Sequence, residues 1–90
     1  MTVLSRTVRM NNKRGLHARA SAKFVNLAAT LPSDIEVEKD GNKVCGTSIM
    51  GLMMLGAAMG DDVVLHVSGE GAQDSLEQLA DLIEGRFGED

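Results

Sequence analysis

The sequence predicts one α+β domain spanning residues 1–90, an open-faced β-sandwich in which helices cover one face of a four-stranded, mostly antiparallel sheet. Three observations support this class: short alternating segments, two longer segments with a single apolar stripe, and compact turns between them. The predicted order of elements is β-α-β-β-α-β-α. Ninety residues suffice for one hydrophobic core, and the 43% of hydrophobic residues is ordinary for a globular protein.

The first half of the chain supplies a strand, a helix and a hairpin. Residues 3–10 alternate between polar and apolar side chains, which is typical of a half-buried strand. Over residues 18–31 apolar side chains recur at helical spacing, and the proline that follows ends this helix. Residues 34–38 alternate again. The Asp-Gly pair at 40–41 then predicts a tight hairpin with a return strand over 43–45.

The second half supplies a short helix, a strand and a long helix. Ser48 is placed to cap a helix over residues 49–55, and Gly56 is a suitable end for it. Residues 63–67 form the fourth predicted strand. A second long amphipathic helix follows, and its apolar stripe includes Phe87.

Composition argues against several classes of function. Cys45 is the only cysteine, which excludes an internal disulfide and a metal site built from cysteines, and we expect it to be packed rather than reactive. The absence of Trp and Tyr argues against single-stranded nucleic-acid binding. The opening MTVLSRTV resembles neither a signal peptide nor a membrane anchor, and no run approaches the roughly 20 apolar residues of a membrane span. We therefore expect a cytoplasmic protein without membrane insertion.

Charge is distributed unevenly along the chain. The net charge is −4, yet residues 1–33 contain six basic side chains and no acidic one, whereas residues 34–90 contain three basic and thirteen acidic side chains. A basic region on an acidic protein attracts a phosphate-bearing or acidic partner locally. General nucleic-acid binding needs a basic domain overall, so we expect no nucleic-acid partner.

His17 directly precedes the first long helix, so we expect it at the N-cap or in the first turn. Unpaired N–H groups and the positive end of the helix dipole meet there and form an anion site. A phosphoryl group on His17 would accept hydrogen bonds near Ala18 and Arg19. The same field favours the neutral, nucleophilic imidazole, and the Arg19 guanidinium would stabilise charge on the transferring group. Gly15 would turn the backbone tightly and keep the imidazole exposed. From spacing alone, an ordinary surface histidine remains an alternative.

Two segments resemble one known family. The residues GLHARASA at 15–22 resemble the phosphohistidine motif of HPr, the histidine-containing phosphocarrier of the bacterial phosphotransferase system. The residues TSIMGLMMLG at 47–56 resemble the segment around that family's regulatory serine, at the family's usual separation. Length and element order match over nearly all 90 residues. One departure is Ala20, where many members have a proline that makes the first turn more rigid.

The resemblance implies a phosphocarrier rather than an enzyme in the usual sense. Nδ1 of His17 would accept the phosphoryl group of phosphoenolpyruvate through enzyme I, with Arg19 as partner of the phosphate, and EIIA-type proteins would receive it. Ser48 would match the serine that the ATP-dependent HPr kinase/phosphorylase modifies. The nitrogen-related regulatory branch of the same system and a non-catalytic protein-binding module remain open alternatives.

The predicted short helix is apolar on every side, with Ile, Met and Leu at six of its seven positions. Two turns cannot bury every face in so thin a domain, so we expect Ile49, Met50 and Met53 to stay exposed beside His17 as a docking surface for donor and acceptor proteins. The alternative is that all of these side chains belong to the core.

No other chemistry is indicated. His66 alternates with the apolar residues of its strand, so we expect it to be structural and to face solvent. His17, His66 and Cys45 lack the spacing of metal ligands, and neither GxGxxG nor a P-loop is present. We therefore expect neither a metal nor a cofactor.

Overall fold

A computed structural model describes residues 3–89 of the chain. They form, in order, β1 (Val3–Arg9), α1 (Ala18–Ala28), β2 (Asp34–Lys39), β3 (Asn42–Cys45), α2 (Ile49–Met54), β4 (Asp62–Ser68), α3 (Ala72–Glu84) and a short 3₁₀ turn at Arg86–Gly88. The predicted fold class and element order are confirmed. None of these helices is long and apolar enough to cross a bilayer.

The sheet has the strand order β1-β4-β2-β3, and each neighbouring pair is antiparallel. β4 therefore lies inside the sheet, between β1 and β2, while β1 and β3 form its edges. The β2–β3 hairpin turns at Asp40 and Gly41, whose φ angles of 52° and 84° are those of the tight turn that an Asp-Gly pair favours.

The core lies between the sheet and the helices. Val63, Leu65 and Val67 alternate along β4 and are completely buried on the helix-covered face, where Phe24 of α1 and Leu79 of α3 are also buried. Burial of a Val, Leu or Phe side chain contributes about 1.5–3 kcal/mol, so this alternation fixes which face of the sheet the helices cover. Within residues 3–89 no helix covers the opposite face of the sheet, which we call the open face.

α1 ends earlier than the sequence indicates. It stops at Ala28 rather than Leu31, and the amides of Thr30 and Leu31 donate to the carbonyls of Leu27 and Ala28 in tighter i→i+3 bonds. A residue before proline is disfavoured in the helical region of backbone angles, so the last turn tightens before Pro32 is reached. The predicted end of α1 was therefore wrong by three residues.

The end of α3 also differs from the prediction. The helix ends at Glu84, and Phe87 enters the core from a left-handed reversal in which Arg86, Phe87 and Gly88 have φ angles of 60°, 55° and 74°. A left-handed conformation costs about 1–3 kcal/mol for each non-glycine residue. Phe87 is only 1% exposed, and this burial offsets part of that cost. We call residues 86–89 the C-terminal strap.

Candidate functional site

His17 is the N-cap residue of α1, the position that the sequence indicates. Its backbone is extended, with φ −74° and ψ 179°, and its Nδ1 atom accepts a hydrogen bond from the Arg19 amide at 3.3 Å. Ala18 begins α1 and is exposed, and its amide has no partner among residues 3–89. The helix start therefore places one amide donor on Nδ1, leaves a second amide unpaired at the neighbouring residue, and adds the partial positive charge of the helix dipole.

Gly15 fixes the approach to this helix start. Its φ is +62°, and a Cβ atom at this position would lie 2.1 Å from the carbonyl oxygen of Ala57. The close approach lets the Leu16 amide donate to that same oxygen at 2.9 Å. Only glycine combines the left-handed backbone with this packing, so the loop before His17 is tied to the segment that follows α2.

Glu89 of the C-terminal strap covers one edge of the imidazole. Its Oε2 atom lies 2.8 Å from Nε2 of His17, and the two side chains are 20% and 21% exposed. The expectation of an exposed imidazole therefore needs correction, because His17 is half-buried. The chain reversal at the end of α3 brings a carboxylate onto the ring.

Asn12 holds the carboxylate in place. The residue is 1% exposed, and its Nδ2 atom donates to Oε1 of Glu89 at 3.0 Å and to the carbonyl of Gly15 at 2.9 Å. Among residues 3–89, the Oδ1 atom of Asn12 is the one buried polar side-chain atom that has no hydrogen-bond partner. The hydrogen bond from Asn12 is the largest effect on the Glu89 carboxyl and lowers its pKa; desolvation opposes this effect, and the neighbouring His17 and Lys23 lower the pKa further. Glu89 is thus a carboxylate at neutral pH.

A basic cleft of about 520 Å³ opens beside this pair. It is lined by four cationic side chains and by two residues of the C-terminal strap: Lys13, Arg14, Arg19, Lys23, Gly88 and Glu89. Among residues 3–89 the Arg19 guanidinium has no hydrogen-bond partner, so it is available to an incoming anion. The folded chain thus gathers four of the six basic residues of its first 33 at one place.

Ser48 and α2 form a second exposed surface, and α2 packs against α1. Ser48 is the N-cap of α2, and its hydroxyl oxygen accepts from the Gly51 amide at 3.0 Å. Leu52 is buried, whereas Ile49, Met50 and Met53 are 40%, 73% and 44% exposed. Met54, which was not among the side chains predicted to be exposed, is 80% exposed. A two-turn helix against this core buries a single side chain, so the remaining apolar side chains face outward.

His66 lies on the open face, away from the apolar core. It does not simply face solvent, because its Nδ1 atom is 2.8 Å from the Ser5 hydroxyl and its Nε2 atom is 2.7 Å from Glu38. Ser5 belongs to β1, His66 to β4 and Glu38 to β2. The ring therefore bridges three adjacent strands, which agrees with the structural role expected for it.

The expectation that Cys45 is packed also needs correction. It is exposed rather than packed, because it ends the edge strand β3 with its side chain on the open face. Its Sγ atom lies 3.1 Å from the Thr47 hydroxyl, and this hydrogen bond lowers the pKa of the thiol. Among residues 3–89, no group of three His, Cys, Asp or Glu side chains is arranged to hold a metal ion.

Sequence reasoning missed Asn12 and Glu89. Asn12 lies in a segment that reads as an ordinary turn, and Glu89 is 72 residues away from His17 along the chain. The one available signal is Phe87, a large apolar residue in the segment Gly85-Arg86-Phe87-Gly88, which indicates that the chain returns to the core after α3. Nothing in the sequence specifies where that return places the next carboxylate.

Comparison with known proteins agrees with this geometry. Residues 4–85 match the family model described as "PTS HPr component phosphorylation site". The chain is 45% identical to the phosphocarrier protein HPr of Neisseria meningitidis over 87 residues, which is 97% of this chain and 98% of the relative. It is 43% identical to the HPr-like protein Crh of Bacillus subtilis over 82 residues, 91% of this chain and 96% of the relative.

A solved structure shows the same fold. The crystal structure of HPr-C-His from Thermoanaerobacter tengcongensis superposes with a TM-score of 0.92 at 45% identity, and the match covers 97% of this chain and 98% of that one. Sequence, family model and fold agree over nearly the whole chain. The chain belongs to the HPr family, the phosphocarriers of the phosphotransferase system.

Proposed function

We propose that His17 accepts a phosphoryl group at Nδ1 and passes it to another protein. The donor is enzyme I charged by phosphoenolpyruvate, the acceptors are EIIA-type proteins, and the relay operates in the cytoplasm. The observation that carries this proposal is the position of Nδ1 at a helix start, where it accepts from the Arg19 amide and the Ala18 amide has no partner in the described part of the chain. Membership of the HPr family supports the same conclusion.

The chemistry follows from what surrounds the ring. The Nδ1 lone pair attacks phosphorus, the bond from phosphorus to the donor group breaks, and the leaving group takes the electron pair. The amides of Ala18 and Arg19 then donate to phosphoryl oxygens, which are better acceptors than a neutral ring nitrogen. The Arg19 guanidinium and the helix dipole stabilise the charge on the transferring group without any reorganisation of water.

The surroundings of the site suit acidic partner surfaces that also offer apolar side chains. Four cations line the basic cleft, and Ile49, Met50, Met53 and Met54 expose apolar area on α2. Methionine adapts its shape to different neighbours, so one surface can serve a donor and an acceptor in turn. The exposed apolar side chains of α2, a helix that packs against α1, and the cations of the basic cleft together support docking here.

The direct test is phosphorylation of the whole chain with phosphoenolpyruvate and enzyme I. We expect an acid-labile phosphoryl adduct on the wild type and on His66→Ala, and none on His17→Ala. The His66 variant is the matched control because it removes the other histidine of the chain. An absent adduct on the folded wild type would instead identify a non-catalytic protein-binding module.

Ser48 is the proposed regulatory position, a substrate for an HPr kinase/phosphorylase. The match to Crh, which a solved structure at 44% identity describes as a catabolite repression protein, supports a regulatory role in this family. A phosphate at a helix N-terminus does not melt the helix, so its effect is an added negative charge on the docking surface. A negative partner should then bind less well.

Substitution of Ser48 tests this regulation. Ser48→Asp should lower the rate of transfer from enzyme I, whereas Ser48→Asn, which also caps a helix but carries no charge, should leave the rate near that of the wild type. Equal rates for the aspartate and asparagine variants would contradict the charge effect.

A further inference from the structure

We propose that Glu89 is a positioning residue for His17. Its carboxylate accepts the Nε2 proton of the ring, which leaves the Nδ1 lone pair as the nucleophile and stabilises the positive charge that the ring acquires during transfer. The inference deepens the proposed function and rests on it.

The hydrogen bonds fix the direction of the proton. A neutral imidazole carries one N–H, on either Nδ1 or Nε2. Glu89 as a carboxylate can only accept, so the short 2.8 Å contact requires the proton on Nε2. The Arg19 amide can only donate, so its contact with Nδ1 requires a lone pair there. Two neighbours on opposite sides of the ring therefore select the same tautomer.

Asn12 supports the carboxylate from behind. Both hydrogen atoms on its Nδ2 are used, one toward Glu89 and one toward the carbonyl of Gly15. Asn12 is buried, and the side chains of His17 and Glu89 are both about four-fifths shielded from water. Shielding strengthens a charge-assisted hydrogen bond and makes the imidazole orientation better defined.

The C-terminal strap delivers Glu89 to this place. Phe87 is buried, and its carbonyl accepts a 2.6 Å hydrogen bond from the Lys23 ammonium on α1. Three successive left-handed residues then turn the chain toward the start of α1. Because both the side chain and the carbonyl of Phe87 are held in place, Glu89 has little freedom. Its carboxylate is therefore in position before any phosphoryl donor arrives.

The proton and charge balance gives Glu89 its role in transfer. When the Nδ1–P bond forms and the donor's bond to phosphorus breaks, the Nε2 proton stays on the ring, and the ring becomes positively charged. The neighbouring carboxylate stabilises this charge and keeps the proton in place. A protonated ring is also the better leaving group, because it departs as neutral imidazole when the acceptor protein takes the phosphoryl group.

The experiment compares Glu89→Gln with Glu38→Gln in the full chain. The first removes the charge beside His17 and keeps the shape, and the second makes the same change beside His66. With phosphoenolpyruvate and enzyme I, we expect kcat for phosphorylation of Glu89→Gln to fall about tenfold with KM little changed. The ¹⁵N shifts of the His17 ring should move from a single Nε2–H tautomer to a mixture. Glu38→Gln should change only the ring signals of His66.

Each result has a clear meaning. Failure of the wild type to form an adduct would refute the proposed function without reference to Glu89. With a normally phosphorylated wild type, an unchanged kcat for Glu89→Gln would overturn the positioning role, whatever the ring signals show. A loss confined to KM would also overturn it, because Glu89 would then act in docking. Correct folding of both variants is checked by their amide spectra.

Discussion

Both histidines of this chain contact a glutamate, but the rest of their surroundings differs. Nε2 of His17 lies 2.8 Å from Glu89, and Nε2 of His66 lies 2.7 Å from Glu38. The other ring nitrogen faces a backbone amide in His17 and the Ser5 hydroxyl in His66. A histidine–glutamate pair therefore does not by itself distinguish the proposed phosphoryl acceptor His17 from His66.

The difference lies in the backbone that presents each ring. His66 is on β4, which is paired on both sides, so its amides are used within the sheet. His17 is at a helix start, where the first amides have no partner inside the helix. As far as the structure describes the chain, the sheet offers no ready anion site beside His66, and Glu36, directly across the ladder, adds negative charge there. The start of α1 therefore leaves amides without a partner inside the helix next to His17, whereas the amides of β4 next to His66 are used within the sheet.

The largest expected effect comes from removing the anchor of the C-terminal strap. Phe87→Ala should lower the free energy of unfolding by about 3–5 kcal/mol, because it empties a buried aromatic site. In the molecules that remain folded, the ring signals of His17 should change while those of His66 stay. Urea unfolding and NMR measure both effects. The control Met59→Ala alters an exposed side chain and should cost less than about 0.5 kcal/mol. Equal sensitivity of the two histidines would contradict the delivery of Glu89 by the strap.

A smaller effect should separate the two sites by their cations. Arg19→Gln should slow phosphorylation by enzyme I on the order of tenfold or more, since a hydrogen bond to a charged group contributes about 1.5–3 kcal/mol. Lys43→Gln removes a cation near His66 on the open face and should leave the rate unchanged. Transfer kinetics at fixed ionic strength measure the difference. An equal loss in both variants would point to net charge rather than to the basic cleft.

The next effect in size is a shift in the pH at which the contact between His17 and Glu89 is lost. Asn12→Ala removes the hydrogen bond that most lowers the pKa of Glu89, so this pKa should rise toward its ordinary value of 4.5. A carboxylate with a depressed pKa stabilises the folded state above its unfolded pKa, and this contribution is lost as the pH falls through the folded value. The variant should lose the His17–Glu89 contact at a higher pH than the wild type. A ¹³C titration of the glutamate carboxyls measures the shift, with Glu38 as internal control, and identical Glu89 curves would contradict it.

The smallest effect is expected at His66. Ser5→Ala removes the hydroxyl bonded to Nδ1 at an exposed position, so the free energy of unfolding should fall by no more than about 1 kcal/mol. Phosphorylation of His17 should continue at the rate of the wild type. Thermal unfolding and the enzyme I assay measure the two quantities. A slowed transfer would show that the two histidines are coupled through the sheet.

The sequence by itself determined the fold class, the element order and the helix start at His17. These depend on local patterns: alternation in the strands, one apolar stripe in each long helix, and turn residues such as Asp40-Gly41. Local patterns also indicated the capping role of Ser48 and the outward face of α2. Each of these signals lies within a few residues of the feature that it predicts, so no knowledge of distant contacts was needed.

Only the tertiary structure determined which groups surround the His17 imidazole. Phe87 was rightly assigned to the core, but its left-handed approach, the burial of Asn12 and the arrival of Glu89 at Nε2 depend on contacts between the two ends of the chain. Cys45 was misjudged for a similar reason, because its exposure follows from the edge position of β3. Periodicity states which side chains are apolar or polar within one element. Which polar groups meet is set by how the elements pack, since hydrogen bonds between distant residues leave no local pattern in the sequence.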